Sequence, residues 1–299
     1  MKIQAMHRYI SFLLFALIGF VPVLKVKAQG DVPLFINKAS ICDSIDFCGV
    51  GRIRQATTLG IGYLNEYDTY LSPQEYTGFS LRYRNESYRN RSWQGGDKWV
   101  TNKVLQGYIG YSDNQVRNSR AYSILITYHY GFLRRWRVNN RLQLLGGGGG
   151  IVNIGSLYNT RNGNNPAQLR FSFSALAQGM AIWNFNAFHY PFRLSYEVGV
   201  PLVGAIFMPH YGQSYYEIYN YGEPMGQLKF SSPFNSPSIL NLLSLDIPAW
   251  NHITLRVSYS ANIYQAKINY LRSHCYNHAF MVGVVWDSIT LPSFSRKRK

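Results

Sequence analysis

Acidic residues are scarce in this sequence of 299 residues: 14 Asp and Glu stand against 30 Lys and Arg, a formal charge of +16. Charge of either sign is thin, at 15% of residues, while aromatics reach 16%. That balance excludes a disordered chain, which is poor in aromatics and rich in charge. Only three cysteines occur, which excludes a disulfide-dense mini-scaffold. With 26 Gly and 12 Pro the chain is no periodic collagen. Mean hydropathy is −0.16, too polar for a bundle of membrane helices. Beyond residue 28 no stretch approaches the roughly 18–20 continuous apolar residues that a membrane helix needs.

The N-terminus carries the one long apolar run. Lys2, His7 and Arg8 form a basic region, Tyr9 to Leu24 is apolar apart from Ser11, Gly19 and Pro22, and Val26-Lys27-Ala28 is a small-x-small cleavage site before Gln29. Residues 1–28 therefore read as a cleaved signal peptide. Loss of Lys2, Arg8, Lys25 and Lys27 takes the charge from +16 to +12. Residues 29–50 read as a short periplasmic segment, 51–288 as the folded body and 289–299 as a basic tail. Cys42 and Cys48 flank a five-residue loop; export allows them to pair, and two free thiols are the alternative.

From residue 56 to residue 287 the pattern has period two. Ile253, Leu255, Val257, Tyr259, Ala261 and Ile263 interleave with Thr254, Arg256, Ser258, Ser260 and Asn262. Residues 169–185, 192–200 and 122–132 repeat the alternation, which is the signature of strands with one apolar face. Several runs last ten or more residues, longer than the five or six of an average globular strand and matching the roughly 9–11 that cross a bilayer. Aromatics end the apolar faces at Tyr63, Tyr83, Tyr111, Trp183, Tyr259 and Trp286, as interfacial girdles do. The opposite faces carry Arg82, Arg84, Glu86, Arg170, Arg193, Glu197, Asp246 and Arg256, residues seldom buried unless paired. Backbone cannot go unpaired in lipid, so such strands must close. The expected fold is all-β: a transmembrane antiparallel β-barrel of about ten strands, with twelve as the alternative. The ten are placed at 54–64, 75–87, 99–112, 119–133, 140–153, 167–185, 191–204, 238–247, 251–264 and 275–287. Connections at 154–166, 205–237 and 265–274 are expected to be the long ones.

A ten-strand barrel is narrow enough for side chains to fill. The inward charges read first as an ion-paired plug, and second as a basic constriction for small anionic solutes. The loop 209–223 offers weak catalytic candidates in His210, Ser214 and Glu217, with Glu223 nearby; a hydrolase needs a nucleophile, a base and an orienting group. Against that, an aromatic loop with adaptable polar residues suits a binding surface. Gly146–Gly150 lacks the Lys and following helix of a phosphate loop and reads as a bend or close approach in the barrel wall. His274 and His278 on a strand share a face about 13 Å apart, too far for one ion, so neither a metal nor another cofactor is expected. The scattered basic residues form no stripe of the kind nucleic acid needs; anionic lipopolysaccharide and outer-membrane lipid are the expected partners.

Tyr67–Gly78, Asn162–Pro166 and the C-terminal run Ile253–Gly283, with Tyr264-Gln265-Ala-Lys267 and His274-Cys-Tyr-Asn-His278 inside it, carry a resemblance. Together they resemble a family of uncharacterised proteins of Bacteroides-type bacteria, known as a domain of unknown function. The resemblance spans most of the chain after the signal. It implies an outer-membrane barrel of a Gram-negative envelope and transfers no catalytic residue. Here Trp286 is followed by thirteen residues ending in Arg296-Lys-Arg-Lys299, whereas the last strand of such barrels usually ends the chain. The expected function is a non-enzymatic outer-membrane barrel, a surface-binding or envelope component with a narrow or plugged lumen. A barrel-embedded hydrolase of lipid or peptide and a narrow anion channel are the alternatives.

Overall fold

A computed structural model describes residues 52–91, 98–163, 165–187, 190–220, 224–250 and 253–289. Eleven strands follow in order: β1 Arg52–Asp68, β2 Ser72–Arg91, β3 Trp99–Asn114, β4 Arg120–Arg137, β5 Leu142–Asn159, β6 Ala167–Ala187, β7 Tyr190–Phe207, β8 Leu228–Ser231, β9 Ser238–Trp250, β10 Ile253–Ile268 and β11 Leu271–Ile289. Every pairing is antiparallel. β1 pairs with both β2 and β11, and β7 with both β6 and β9, so ten strands close into a barrel and β8 is a short addition to the rim of β7. The count is ten, not twelve. The segments 1–28 and 29–50, Cys42, Cys48, Glu223 and residues 290–299 lie outside the described residues.

Closure fixes the barrel's dimensions. Paired residues followed from Leu64 through Leu240, Gln178 and Leu133 reach Asn90, whose neighbour Arg89 faces Ile53. The row thus returns to β1 at the level of Arg52, 64 − 52 = 12 residues from its start. Twelve residues of ~3.3 Å against ten strands spaced ~4.8 Å give a strand tilt of about 40° and a backbone radius of about 10 Å.

The burial pattern is inside out. Ile61 is 69% exposed and Phe280 72%, while inward Ser80 and Asn277 are buried. A continuous apolar exterior this large is a membrane surface, not the skin of a soluble monomer. Two aromatic belts bound it. Tyr63, Phe79, Tyr111, Tyr122 and Tyr158 face one another across five adjacent strands toward the end that carries the long 208–237 excursion. Trp99, Trp136, Trp183, Tyr190 and Trp286 stand exposed near the other end. Trp99 and Tyr111 share β3, twelve residues apart. That is about 40 Å along the strand and about 30 Å along the axis at this tilt, the thickness of a hydrocarbon core.

The strands outrun this band. Each ring strand has 13 to 21 residues, so several project past the belts. The expected long connection at 265–274 is therefore a two-residue hairpin: Ile268 pairs with Leu271, and Asn269 and Tyr270 have φ of 54° and 63°. Two successive left-handed residues make a type I′ turn, which favours Asn-Gly. The expected loop at 154–166 shrinks likewise, because β5 runs to Asn159. Tyr270 is almost fully exposed, so Tyr270→Gly sacrifices no packing and relieves a left-handed side chain. Its effect should be a stabilisation of about 1 kcal/mol, read as a raised urea midpoint in micelles; a lowered midpoint would show that Tyr270 is held by contacts instead.

The wall has one fork. β7 pairs with β9 only from Arg193 to Gly199, and with β8 from Gly204 to Phe207. Between them Val200–Val203 have no partner on that side. Pro201, which has no N–H to give, sits there, next to a register shift between β6 and β7 at Ala175/Leu176. The Gly146–Gly150 run lies in β5. Gly149 pairs with Gly131, and a Cβ on Gly131 would stand 2.4 Å from Gln178 Oε1. The missing side chain makes room for an inward polar group.

Candidate functional site

Inward positions on every strand point into a lumen about as wide as two facing side chains, so what fills it decides what the barrel can pass or hold. Near the middle, Arg84 on β2 spreads its guanidinium over three acceptors. Nε donates to Glu86 Oε2 at 2.9 Å, Nη1 to Gln106 Oε1 at 3.0 Å and Nη2 to Glu197 Oε2 at 2.7 Å. Arg256 on β10 grips Asp246 in a fork, with Nε and Nη2 donating at 2.6 and 2.9 Å, and reaches Glu86 with Nη1. Arg54 donates to the same Asp246 at 2.8 Å, and the Tyr88 hydroxyl to Glu197 at 3.1 Å. Three guanidinia meet three carboxylates, so this network is neutral. Arg193 donates Nε to Asn184 Oδ1 at 3.0 Å.

Ring position makes these bonds informative. β2 and β7 are five strands apart whichever way the ten-strand ring is followed. Arg84–Glu197 is therefore a strut across the full diameter. A second strut lies nearer the loop end, where Arg170 on β6 donates to Glu66 Oε1 on β1 at 2.7 Å; β1 and β6 are also opposite. Tyr108 adds its hydroxyl to Glu66 at 3.2 Å and contacts the buried Cys275 Sγ at 3.2 Å. Arg82 lies between the struts and bonds Asn277 Oδ1 at 3.2 Å.

Apolar residues cluster toward both ends. Tyr70, Leu71, Tyr76, Met208, Ile268 and Leu271 cluster at the loop end. Tyr88, Val100, Leu133, Leu145 and Ile182 cluster toward the other. The Tyr70 hydroxyl donates to the Gln213 carbonyl at 2.7 Å, tying the first hairpin to the long excursion.

That excursion holds the weak catalytic candidates. Ser214 N–H donates to Glu217 Oε2 at 2.7 Å, and Glu217 N–H to Ser214 Oγ at 3.2 Å. This reciprocal pair is a capping box at the start of α1, Tyr215–Asn220. The His210 backbone N–H donates to Gln213 Oε1, and among the described residues no hydrogen bond joins its ring to Ser214. The spacing S-x-x-E serves a helix end here. His274 and His278 sit on the outward face of β11, each with its own partner: Asn65 Oδ1 at 3.0 Å and the Tyr259 hydroxyl at 2.9 Å.

Sequence reasoning placed Arg82, Arg84, Glu86, Arg170, Arg193, Glu197, Asp246 and Arg256 on inward faces, and all eight are buried or line the lumen. It missed Glu66, the far end of one strut, because β1 was expected to stop at residue 64. It also missed Arg54 and Tyr108. Extending the even-numbered face of β1 by one step reaches Glu66, and that parity was the available signal.

Several solved structures with remote sequences are similar to this chain. The translocator domain of the autotransporter NalP from Neisseria meningitidis is 13% identical over 83% of this chain and 92% of its own, with a TM-score of 0.38. The outer membrane protease OmpT from Escherichia coli is 7% identical over 79% and 97%, with 0.46. Ail, the attachment invasion locus protein of Yersinia pestis, is 11% identical over 80% and 100%, with 0.26. No protein of curated function matches in sequence. Residues 12–296 match the model of the family described as protein of unknown function DUF3316, and the chain belongs to that family.

Proposed function

We propose that this chain is a non-enzymatic barrel of the outer membrane of a Gram-negative, Bacteroides-type cell, plugged by its own ion pairs and working through its outer rim. The two diametral struts carry the reading: with Arg84–Glu197 and Arg170–Glu66 in place, a solute would have to break a buried pair to pass. The loop end is the outer one in this reading, because a chain delivered from the periplasm with an even strand number keeps both strand termini on that side.

The rim suits contact with the cell surface. Tyr211, Tyr219, Phe230, Phe234 and Tyr270 are all strongly exposed. Just beyond the upper aromatic belt, Arg120, Arg161, Lys267 and Arg272 are exposed as well, Lys267 and Arg272 side by side across the last hairpin. Phosphates of lipopolysaccharide lie at that height and are the chemistry such cations take up.

Planar-bilayer recording of the full chain tests the plug. The expected result is a silent membrane under voltages at which known porins conduct. A steady anion-selective current abolished by Arg170→Ala would replace the plug with the channel reading.

A further inference from the structure

We propose that the lumen holds a binding site for a small organic carboxylate, centred on Arg82. A cavity of about 100 Å³ occupies the loop-end half of the lumen, several times the roughly 10–15 Å³ that seats one water. Arg82 lines it and is only 2% exposed. Its Nη1 bonds the neutral Asn277, its Nε has no partner, and among the described residues no carboxylate comes within ion-pairing distance of it. Arg54, Arg84, Arg170 and Arg256 all have one. A buried cation without a counter-ion is costly, and the cavity in front of it is where a counter-ion fits.

The rest of the lining sets the ligand's class. Arg170 also borders the cavity, and its Nη2 is a second partnerless donor although its charge is met by Glu66. Asp68, at the loop end of the lining, is engaged by the Tyr70 N–H at 3.0 Å. Among the described residues Arg82 is the lining cation with no carboxylate at ion-pairing distance, while Glu66 and Asp68 already bring negative charge to this end of the lumen, so the site calls for a monoanion and not a dianion. Leu125, Ile151, Ile206 and Leu240 line the same cavity and suit a short hydrocarbon arm. The fork in the wall borders the same cavity, through Pro201, Ser238 and Leu240. It offers a route for a longer tail toward the lipid. Carboxylate is the shared chemistry of a free short acid and a membrane-borne fatty acid.

Calorimetric titration of the folded full chain in micelles separates these. Butanoate should bind saturably, one per chain. Butanamide, matched in shape and uncharged, should bind at least about tenfold more weakly, since a hydrogen bond to a charged group is worth about 1.5–3 kcal/mol. Arg82→Met should remove butanoate binding. Ile151→Phe, which fills the apolar side and leaves Arg82 in place, should remove it too and carries the test if the Arg82 variant does not fold. Decanoate binding more tightly than butanoate assigns the site to a lipid-borne acid with its tail in the fork, and weaker binding assigns it to a free short acid. No binding of either acid to the wild type, equal binding of butanamide, or unchanged binding by Arg82→Met overturns the proposal. Conductance plays no part in this readout, so its outcome is independent of whether the lumen is plugged.

Discussion

Arg84→Met should destabilise the folded barrel by about 3–5 kcal/mol, the usual cost of removing one partner from a buried ion pair. Among the described residues Arg84 is the only cation bonded to Glu197 by less than 3 Å, and it shares Glu86 with Arg256. All four groups are buried. Methionine keeps most of the stem's volume but strands Glu197 in the lumen with the Tyr88 hydroxyl as its remaining close donor. The double variant Arg84→Met/Glu197→Met should recover a large part of the loss, because two apolar side chains of suitable size can replace a buried pair at little net cost. Urea unfolding in micelles, followed by the shift from fast to slow gel migration, reads all three proteins. A single-variant loss below about 1 kcal/mol, the level of an exposed pair, would mean that water reaches the strut and the lumen is open. Strict additivity of the two single variants would mean that Arg84 and Glu197 do not act as a pair.

How far the sequence revealed this depends on where each strand meets lipid. Between the belts every outward residue must be apolar, so Leu59, Ile61 and Tyr63, or Val257 and Tyr259, announce their strand through strict alternation. Past the belts the outward face is wet and the constraint lapses. Gln265, Lys267 and Arg272 face outward on paired strands, yet their polarity reads as loop. That is why β10 and β11 were expected to be shorter than they are and a two-residue turn was expected to be a long one. Parity alone also sufficed to put Arg84, Glu86 and Arg256 on inward faces, since it is a local property. Which of them meet is set by closure, a shear of twelve residues over ten strands, and no local pattern carries that number. Arg84 and Glu197 lie 113 positions apart in the chain and become neighbours only because β2 and β7 end up opposite. The fork escaped for the same reason: β8 is four residues inside a long connection, and its pairing with β7 depends on where β9 lets go.

The membrane reading yields the sharpest contrast between two exposed residues. Leu59 is 57% exposed on the outside of β1, about midway between the belts, and Phe234 is 99% exposed on the excursion beyond β8. On a soluble protein both would tolerate arginine within about 0.5 kcal/mol. In a bilayer they part company. Arginine at the midplane of a barrel's lipid face costs about 2–4 kcal/mol, so Leu59→Arg should lower unfolding stability in lipid vesicles by that amount while Phe234→Arg changes it by less than about 0.5 kcal/mol. The guanidinium at position 59 cannot escape inward, because the flanking Thr58 and Gly60 already face the packed lumen. Its long stem recovers a little by snorkelling toward an interface, which is why the lower half of the range is the firmer expectation. Measuring both variants in detergent as well as in vesicles adds an internal control. Micelles are thinner and wetter at their waist, so the penalty at Leu59 should shrink there and the value for Phe234 should not move. Equal, small effects at both positions in vesicles would remove the hydrocarbon from around β1 and, with it, the assignment of the apolar exterior to a membrane.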